Sequence, residues 1–132
     1  MVIRKNELIM STEPKEILII DDDNRNIFAL SAVLKAKGYK VSSALSAQDG
    51  INLLRAGSSV RVVLMDMMMP EMDGYEALQL IRGDESLRSL PVIAVTAQAM
   101  VGDREKCLEA GATDYVSKPI DVDQLLKILE TY

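Results

Sequence analysis

Histidine is absent from the 132 residues, which removes the commonest general base, the usual zinc ligand and any phosphohistidine from the chain's own repertoire. The single cysteine, Cys107, excludes an internal disulfide. Eight methionines with no cysteine framework suit a reducing compartment, which makes the cytoplasm the expected location. No apolar run approaches the roughly 20 residues of a membrane span. The opening segment, residues 1–14, mixes Arg4, Lys5, Glu7 and Glu13 into its apolar positions, so neither a signal peptide nor membrane insertion is expected. An excess of positive charge is lacking too: the formal net charge is −5 and the pI about 4.7. Nucleic-acid phosphates are repelled on average, and direct nucleic-acid binding is not expected. Whatever chemistry the chain performs must run on carboxylates, hydroxyls and lysines.

What is present fits one domain. A chain of 132 residues, 48% of them hydrophobic, can bury one core and has no room for a second. Residues 1–14 read as a tail or the end of a linker, leaving 15–132 as the folded unit. Within it, apolar runs of strand length alternate with longer segments of helical period, the pattern of repeated βα units around a parallel sheet. The strands are expected at Glu16–Ile20, Lys40–Ala44, Arg61–Met65, Pro91–Val95 and Asp114–Ser117. Two of them, Ile17-Leu18-Ile19-Ile20 and Val62-Val63-Leu64-Met65, are apolar without alternation, as central strands covered on both faces must be. The helices are expected at Asn24–Lys37, Ala47–Ala56, Gly74–Arg82, Val101–Ala110 and Ile120–Tyr132. In the first, Ile27, Leu30, Val33 and Leu34 form one stripe, and Gly38 is the C-terminal stop; Gly111 plays that part for the fourth. Right-handed crossovers then give a doubly wound α/β sheet of five parallel strands. No internal repeat beyond this rhythm and no low-complexity tract is visible.

In an open α/β sheet, ligands bind beyond the carboxyl ends of the strands. The residues closing the apolar runs are Asp21-Asp22-Asp23 after the first, Asp66 after the third, Thr96 after the fourth and Ser117-Lys118-Pro119 after the fifth. Crowded carboxylates repel one another unless a cation sits among them. With only oxygen ligands at hand, a hard cation is indicated, and magnesium takes a couple of carboxylates while keeping several waters. A phosphate oxygen could replace one of those waters, with Lys118 balancing its charge and Thr96 donating a hydrogen bond. Each residue also has a plainer reading in isolation. Asp22, Asp23 and Asn24 could cap the following helix; Asp66 could be a loop acid, Thr96 a core hydroxyl and Lys118 a solvated surface lysine.

Four stretches together closely resemble the receiver domain of two-component response regulators. They are Ile17-Leu18-Ile19-Ile20-Asp21-Asp22-Asp23; Leu64-Met65-Asp66-Met67-Met68-Met69-Pro70-Glu71-Met72-Asp73-Gly74; Val92-Ile93-Ala94-Val95-Thr96-Ala97; and Ala110-Gly111-Ala112-Thr113-Asp114-Tyr115-Val116-Ser117-Lys118-Pro119. The resemblance spans Lys15 to the end. It implies a flavodoxin-like (βα)5 three-layer sandwich and supplies the strand order 2-1-3-4-5. It implies Asp66 as the phosphoacceptor, with Mg2+ ligated directly by Asp22 and Asp66, through water by Asp21, and by the backbone carbonyl of Met68; Mn2+ is expected to substitute. Lys118 would contact the phosphoryl group, Thr96 would be drawn toward it after transfer, and the ring of Tyr115 would turn inward in step. The peptide before Pro119 is expected to be cis. The implied donor is a histidine kinase or a histidine phosphotransfer protein, and the implied output face is helix 4, strand 5 and helix 5, read by a downstream protein target. The domain would not be an enzyme in the ordinary sense, though it promotes its own phosphorylation and dephosphorylation.

Many receivers carry an acid or amide two residues beyond the phosphoacceptor. Here that place is Met68, which cannot orient an attacking water, whereas Gln98 could; a persistent phosphoryl group is expected. Phe28 lies off the helical stripe near the acidic rim, either as a kinase-docking contact or packed against the last helix. The opening Asp21–Asn26 is similar to that of receivers fused to hybrid sensor kinases. A haloacid dehalogenase-like phosphatase is disfavoured, because such enzymes place the nucleophile after the first strand. A receiver used only as a binding module is the remaining rival. A flavin site fails because Asp21-Asp22-Asp23 occupies the turn where an FMN phosphate needs donors.

Overall fold

A computed structural model describes residues 14–97 and 101–132. The expected tail at residues 1–14 thus lies outside the described residues except for Pro14, and so does Gln98. Five strands run β1 (Glu16–Ile20), β2 (Lys40–Ala44), β3 (Val60–Asp66), β4 (Val92–Thr96) and β5 (Asp114–Ser117). They form one parallel sheet in the order β2-β1-β3-β4-β5. Between and after them lie α1 (Asn24–Ala36), α2 (Ala47–Arg55), α3 (Gly74–Gly83), α4 (Asp103–Glu109) and α5 (Val122–Thr131). The fold is the expected flavodoxin-like sandwich. The unalternating strands β1 and β3 sit inside the sheet, because only a strand covered on both faces can bury every side chain.

Alternate residues of the central strands feed two cores. Leu18, Ile20, Val63 and Met65 face Ile51 and Leu54 of α2, Leu78 and Ile81 of α3 and Cys107 of α4. Ile17, Ile19, Val62 and Leu64 face Leu34 of α1 and Leu125 and Leu129 of α5. Helix starts follow from short polar side chains that satisfy otherwise orphaned N–H groups. Asp23, Ser46, Asp73 and Asp121 accept from the backbone N–H of Arg25, Asp49, Glu76 and Gln124 respectively.

Two helices start later than their periodicity suggests. α4 begins at Asp103 and not Val101, because Gly102 takes the left-handed region at φ 93° and offers no side-chain cap. α5 begins at Val122 and not Ile120, because Asp121 supplies the cap. Strand limits move by one residue: β3 runs from Val60 to Asp66 and β4 from Val92 to Thr96, so Asp66 and Thr96 are themselves the last strand residues. In α1 only Leu34 of the expected stripe is fully buried, while Ile27, Leu30 and Val33 are half-buried.

One side chain ties the amino ends of β4 and β5 to α3. Arg82 donates from Nε to the Gly111 carbonyl at 2.7 Å, from Nη1 to the Leu90 carbonyl at 2.7 Å and the Arg88 carbonyl at 3.0 Å, and from Nη2 to Thr113 Oγ1 at 3.2 Å. Gly111, at φ 114°, is required there twice over, since a Cβ would lie 2.8 Å from Arg82 Cγ. Arg82→Ala leaves partly buried carbonyls without their donor and is expected to cost about 2–4 kcal/mol, measured by urea unfolding. Arg82→Lys, lacking the planar fork, should recover less than half of that loss.

Candidate functional site

The register of the sheet assembles the site. Ile20 pairs with Met65, so the next residue on each strand, Asp21 and Asp66, emerges beside the other. Asp66 is in register with Val95, and Thr96 with Ser117, which brings Thr96 and Lys118 to the same rim. The ladder continues past the strand ends: Asp21 N–H donates to the Ala44 carbonyl at 3.1 Å, Met67 N–H to Val95 at 2.9 Å and Lys118 N–H to Thr96 at 2.7 Å. The side chains at this rim therefore hang from fixed backbone.

Asp21, Asp22 and Asp66 each offer a carboxylate oxygen within 4.8 Å of the others. Asp21 and Asp66 are buried and Asp22 is exposed. Lys118 Nζ stands 3.3 Å from Asp66 Oδ2 and 3.9 Å from Asp21 Oδ2. Asp21 Oδ1 accepts from Asp23 N–H at 2.8 Å and its Oδ2 from Asn26 Nδ2 at 3.4 Å. The three consecutive acids are thus divided. Asp23 is the helix cap, held also by Arg25, while Asp21 and Asp22 turn to the cluster. The capping reading holds for Asp23, and Asp21 and Asp22 stand in the carboxylate cluster.

Burial pushes the Asp21 carboxyl up from the ordinary range, and the negative charge of Asp66 adds to this, against the opposing pull of the Asp23 N–H, Lys118 and Asn26. Three all-oxygen donors of one sign, partly dry, with one ammonium at their side fit a hard divalent cation. Softer metals have no ligand here: the cluster holds no histidine or thiol, and Cys107 is buried elsewhere in the core.

The loop after Asp66 is pinned to that carboxylate. Met68 N–H donates to Asp66 Oδ1 at 3.0 Å, and Gly74 N–H returns to the Met67 carbonyl at 3.2 Å. A Cβ on Gly74 would lie 2.7 Å from Met67 Cα, so only glycine lets the loop close this tightly. Glu71, following Pro70, takes φ 66°, a region costly for a residue with a side chain. Thr96 is buried at the rim, and Tyr115 on β5 lies half-buried against the core under α3 and α4. The Lys118–Pro119 peptide is cis.

The structure brings together Asp21, Asp22, Asp66 and Lys118 and sets Thr96 on the same rim. Tyr115 sits further back along β5. Asn26 was legible only as part of a family-like opening; its contact with Asp21 comes from its place in the first turn of α1. Sequence reading gave no sign of a cavity of about 310 Å3 beside the site, lined by Leu30, Val33, Leu64, Val95, Lys118 and Ile120 among others. Phe28 is 78% exposed, so it does not pack against α5.

Residues 17–130 match the response regulator receiver domain. The chain belongs to that family, the receiving component of two-component systems. Among its relatives, the polar-differentiation response regulator DivK of Brucella anthropi is 34% identical over 90% of this chain and 96% of its own length. The receiver domain of the sensor histidine kinase PA1611 from Pseudomonas aeruginosa, solved with magnesium coordinated in its active-site cleft, is 37% identical. It covers 90% of this chain and 97% of its own with a TM-score of 0.78. A CheY-like receiver from Methanospirillum hungatei is 30% identical, covering 89% and 92%, with a TM-score of 0.79.

An acid whose pKa is raised by folding costs stability while ionised. The cost is fully present above the folded pKa and is relieved as pH falls through it toward the unfolded value. Asp21→Asn is therefore expected to raise the metal-free melting temperature by a few degrees at pH 7. The gain should shrink on acidification and vanish below about pH 3.9. Magnesium should raise the melting temperature of the parent by mass action and that of the variant much less. Thermal melts between pH 3 and 8, with and without MgCl2, check both.

Proposed function

We propose that this domain is a phosphorylation switch in which Asp66 accepts a phosphoryl group from a partner's phosphohistidine in a Mg2+-dependent reaction. The observation that carries it is the meeting of three carboxylates within 4.8 Å of one another with Lys118 Nζ at 3.3 Å from Asp66. Asp22 and Asp66 would hold the ion directly, Asp21 through water, and the Met68 carbonyl would complete the protein ligands; Mn2+ would serve in its place. When bound, the ion neutralises carboxylate repulsion and draws charge from the phosphoryl oxygens.

The chain's own residues do the rest. An Asp66 oxygen attacks phosphorus, the P–N bond to the donor imidazole breaks, and the imidazole leaves with the electron pair. Asp66 needs no base, because an ionised carboxylate is already the nucleophile. Lys118 releases its pairing with Asp66 and follows the charge onto the phosphoryl oxygens. Thr96 then donates to that group, and Tyr115 turns further into the core. This biases the surface formed by α4, β5 and α5, where a downstream protein reads the state. The chain would act stoichiometrically on itself and not turn over an external substrate. Donor and switch would meet in the cytoplasm.

Support for a kinase or phosphotransfer partner comes from Phe28, whose exposed ring stands on α1 with Asn24 and Arg25 near the rim. The likeness to a sensor kinase's receiver agrees with an origin in a hybrid kinase.

Incubation with a small-molecule phosphodonor, followed by peptide mass spectrometry, tests the reading. The label should sit on Asp66, require Mg2+, disappear in Asp66→Asn and fall at least about tenfold in Lys118→Ala; a labelled Asp66→Asn protein would refute it. Phe28→Ala should slow transfer from a phosphohistidine donor about tenfold while small-donor labelling stays normal. Met68 offers no group to orient water, so Met68→Asn should shorten the life of the phosphoaspartate severalfold; equal lifetimes would remove that role.

A further inference from the structure

The described methionines differ sharply in exposure. Met65 and Met67 are sealed in the core, Met69 is 8% exposed, and Met72 is half-buried, whereas Met68 is 53% exposed. Packing enforces the contrast: the loop closes so tightly over Met67 that Gly74 has no room for a Cβ. Met68, by contrast, is anchored two residues from Asp66 by its own N–H on Asp66 Oδ1, and its side chain reaches solvent. The thiol of Cys107 is fully buried, and burial pushes it above the ordinary range. It is thereby kept in its unreactive protonated form.

A thioether is a weak acceptor, and a sulfoxide is a polar group with an accepting oxygen. We propose that Met68 is a redox modification site, oxidised by hydroperoxides to the sulfoxide, and that the new S=O hastens hydrolysis of the phosphoryl group on Asp66. The second half rests on Asp66 being the phosphoacceptor.

In the first step a sulfur lone pair attacks a peroxide oxygen and the O–O bond breaks. Sulfur loses two electrons and gains the S–O bond. The remaining oxygen, reduced, takes the proton of the transferred hydroxyl and leaves as water from hydrogen peroxide, or as an alcohol from an organic hydroperoxide. In the second step a water held by the sulfoxide oxygen attacks phosphorus. The P–O bond to Asp66 breaks, the carboxylate leaves with the electron pair, and a proton passes to solvent. Oxidation would thus give Met68 the water-orienting capacity it lacks as a thioether, and a methionine sulfoxide reductase would take it away again. Signal lifetime would then shorten as the peroxide level rises.

The test treats the full chain with limiting hydrogen peroxide and maps sulfur oxidation by peptide mass spectrometry. Met68 should oxidise about tenfold or more faster than Met65, Met67 and Met69. Equal rates would overturn the site. Phosphoaspartate decay is then followed in the parent and in Met68→Leu, each before and after peroxide. Loss should quicken severalfold only in the oxidised parent and return to its first rate after reductase treatment. Full oxidation of Met68 with unchanged decay, or equal acceleration in Met68→Leu, would overturn the role. Untreated protein that never labels on Asp66 would refute the phosphoacceptor reading itself and take the role with it, a failure recognisable because the oxidation map would stand.

Discussion

The pairing of β1 with β3 is the constraint on which everything else depends. Because Ile20 stands opposite Met65, the chain cannot continue either strand without placing Asp21 beside Asp66. The sheet holds together by burying apolar side chains on both faces, and the repulsion at its rim is borne by that burial. A folded core of this size can tolerate a local electrostatic cost of a few kcal/mol. The same repulsion makes the rim a place that a hard divalent cation fits.

The loops tie that rim to the backbone around it. Asp66 ends β3 and is followed by a segment held at both ends, by Met68 N–H on the carboxylate and by Gly74 N–H on Met67. A change of charge on Asp66 therefore bears on a short, tightly closed loop and on Lys118. Lys118 in turn is tied through its backbone to Thr96, so the ends of three neighbouring strands share the same event. Packed elements respond to such a change by moving between discrete arrangements and not by bending smoothly.

Most of the framework was legible in the residues, for reasons that can be named. β1 is apolar at every interior position and β3 from Val62 to Met65, and glycines stop α1 and α4. The site acids stand out because charged residues directly after buried strands have few other reasons to be there. Arg82 was not legible, since three of its four partners are backbone carbonyls, which every residue carries. The depth of α1 was not legible either. Ile27, Leu30 and Val33 have the right period, but what they bury against depends on α5 and on the β5–α5 turn, and a cavity remains between them. The split among Asp21, Asp22 and Asp23 turns on backbone geometry at the first residue of a helix, which composition does not encode.

The two edges of the sheet carry polar side chains for opposite ends. At the amino edge, Glu16 accepts from Ser59 and pairs with Lys40, and Arg82 binds the turns leading into β4 and β5; every such group has its partner within the chain. At the carboxyl edge the charges are out of balance, with three carboxylates against the one ammonium of Lys118. In a saturation library scored for abundance and signalling in parallel, damage should therefore separate by latitude: lesions along one edge deplete the protein, and lesions along the other leave it plentiful and silent.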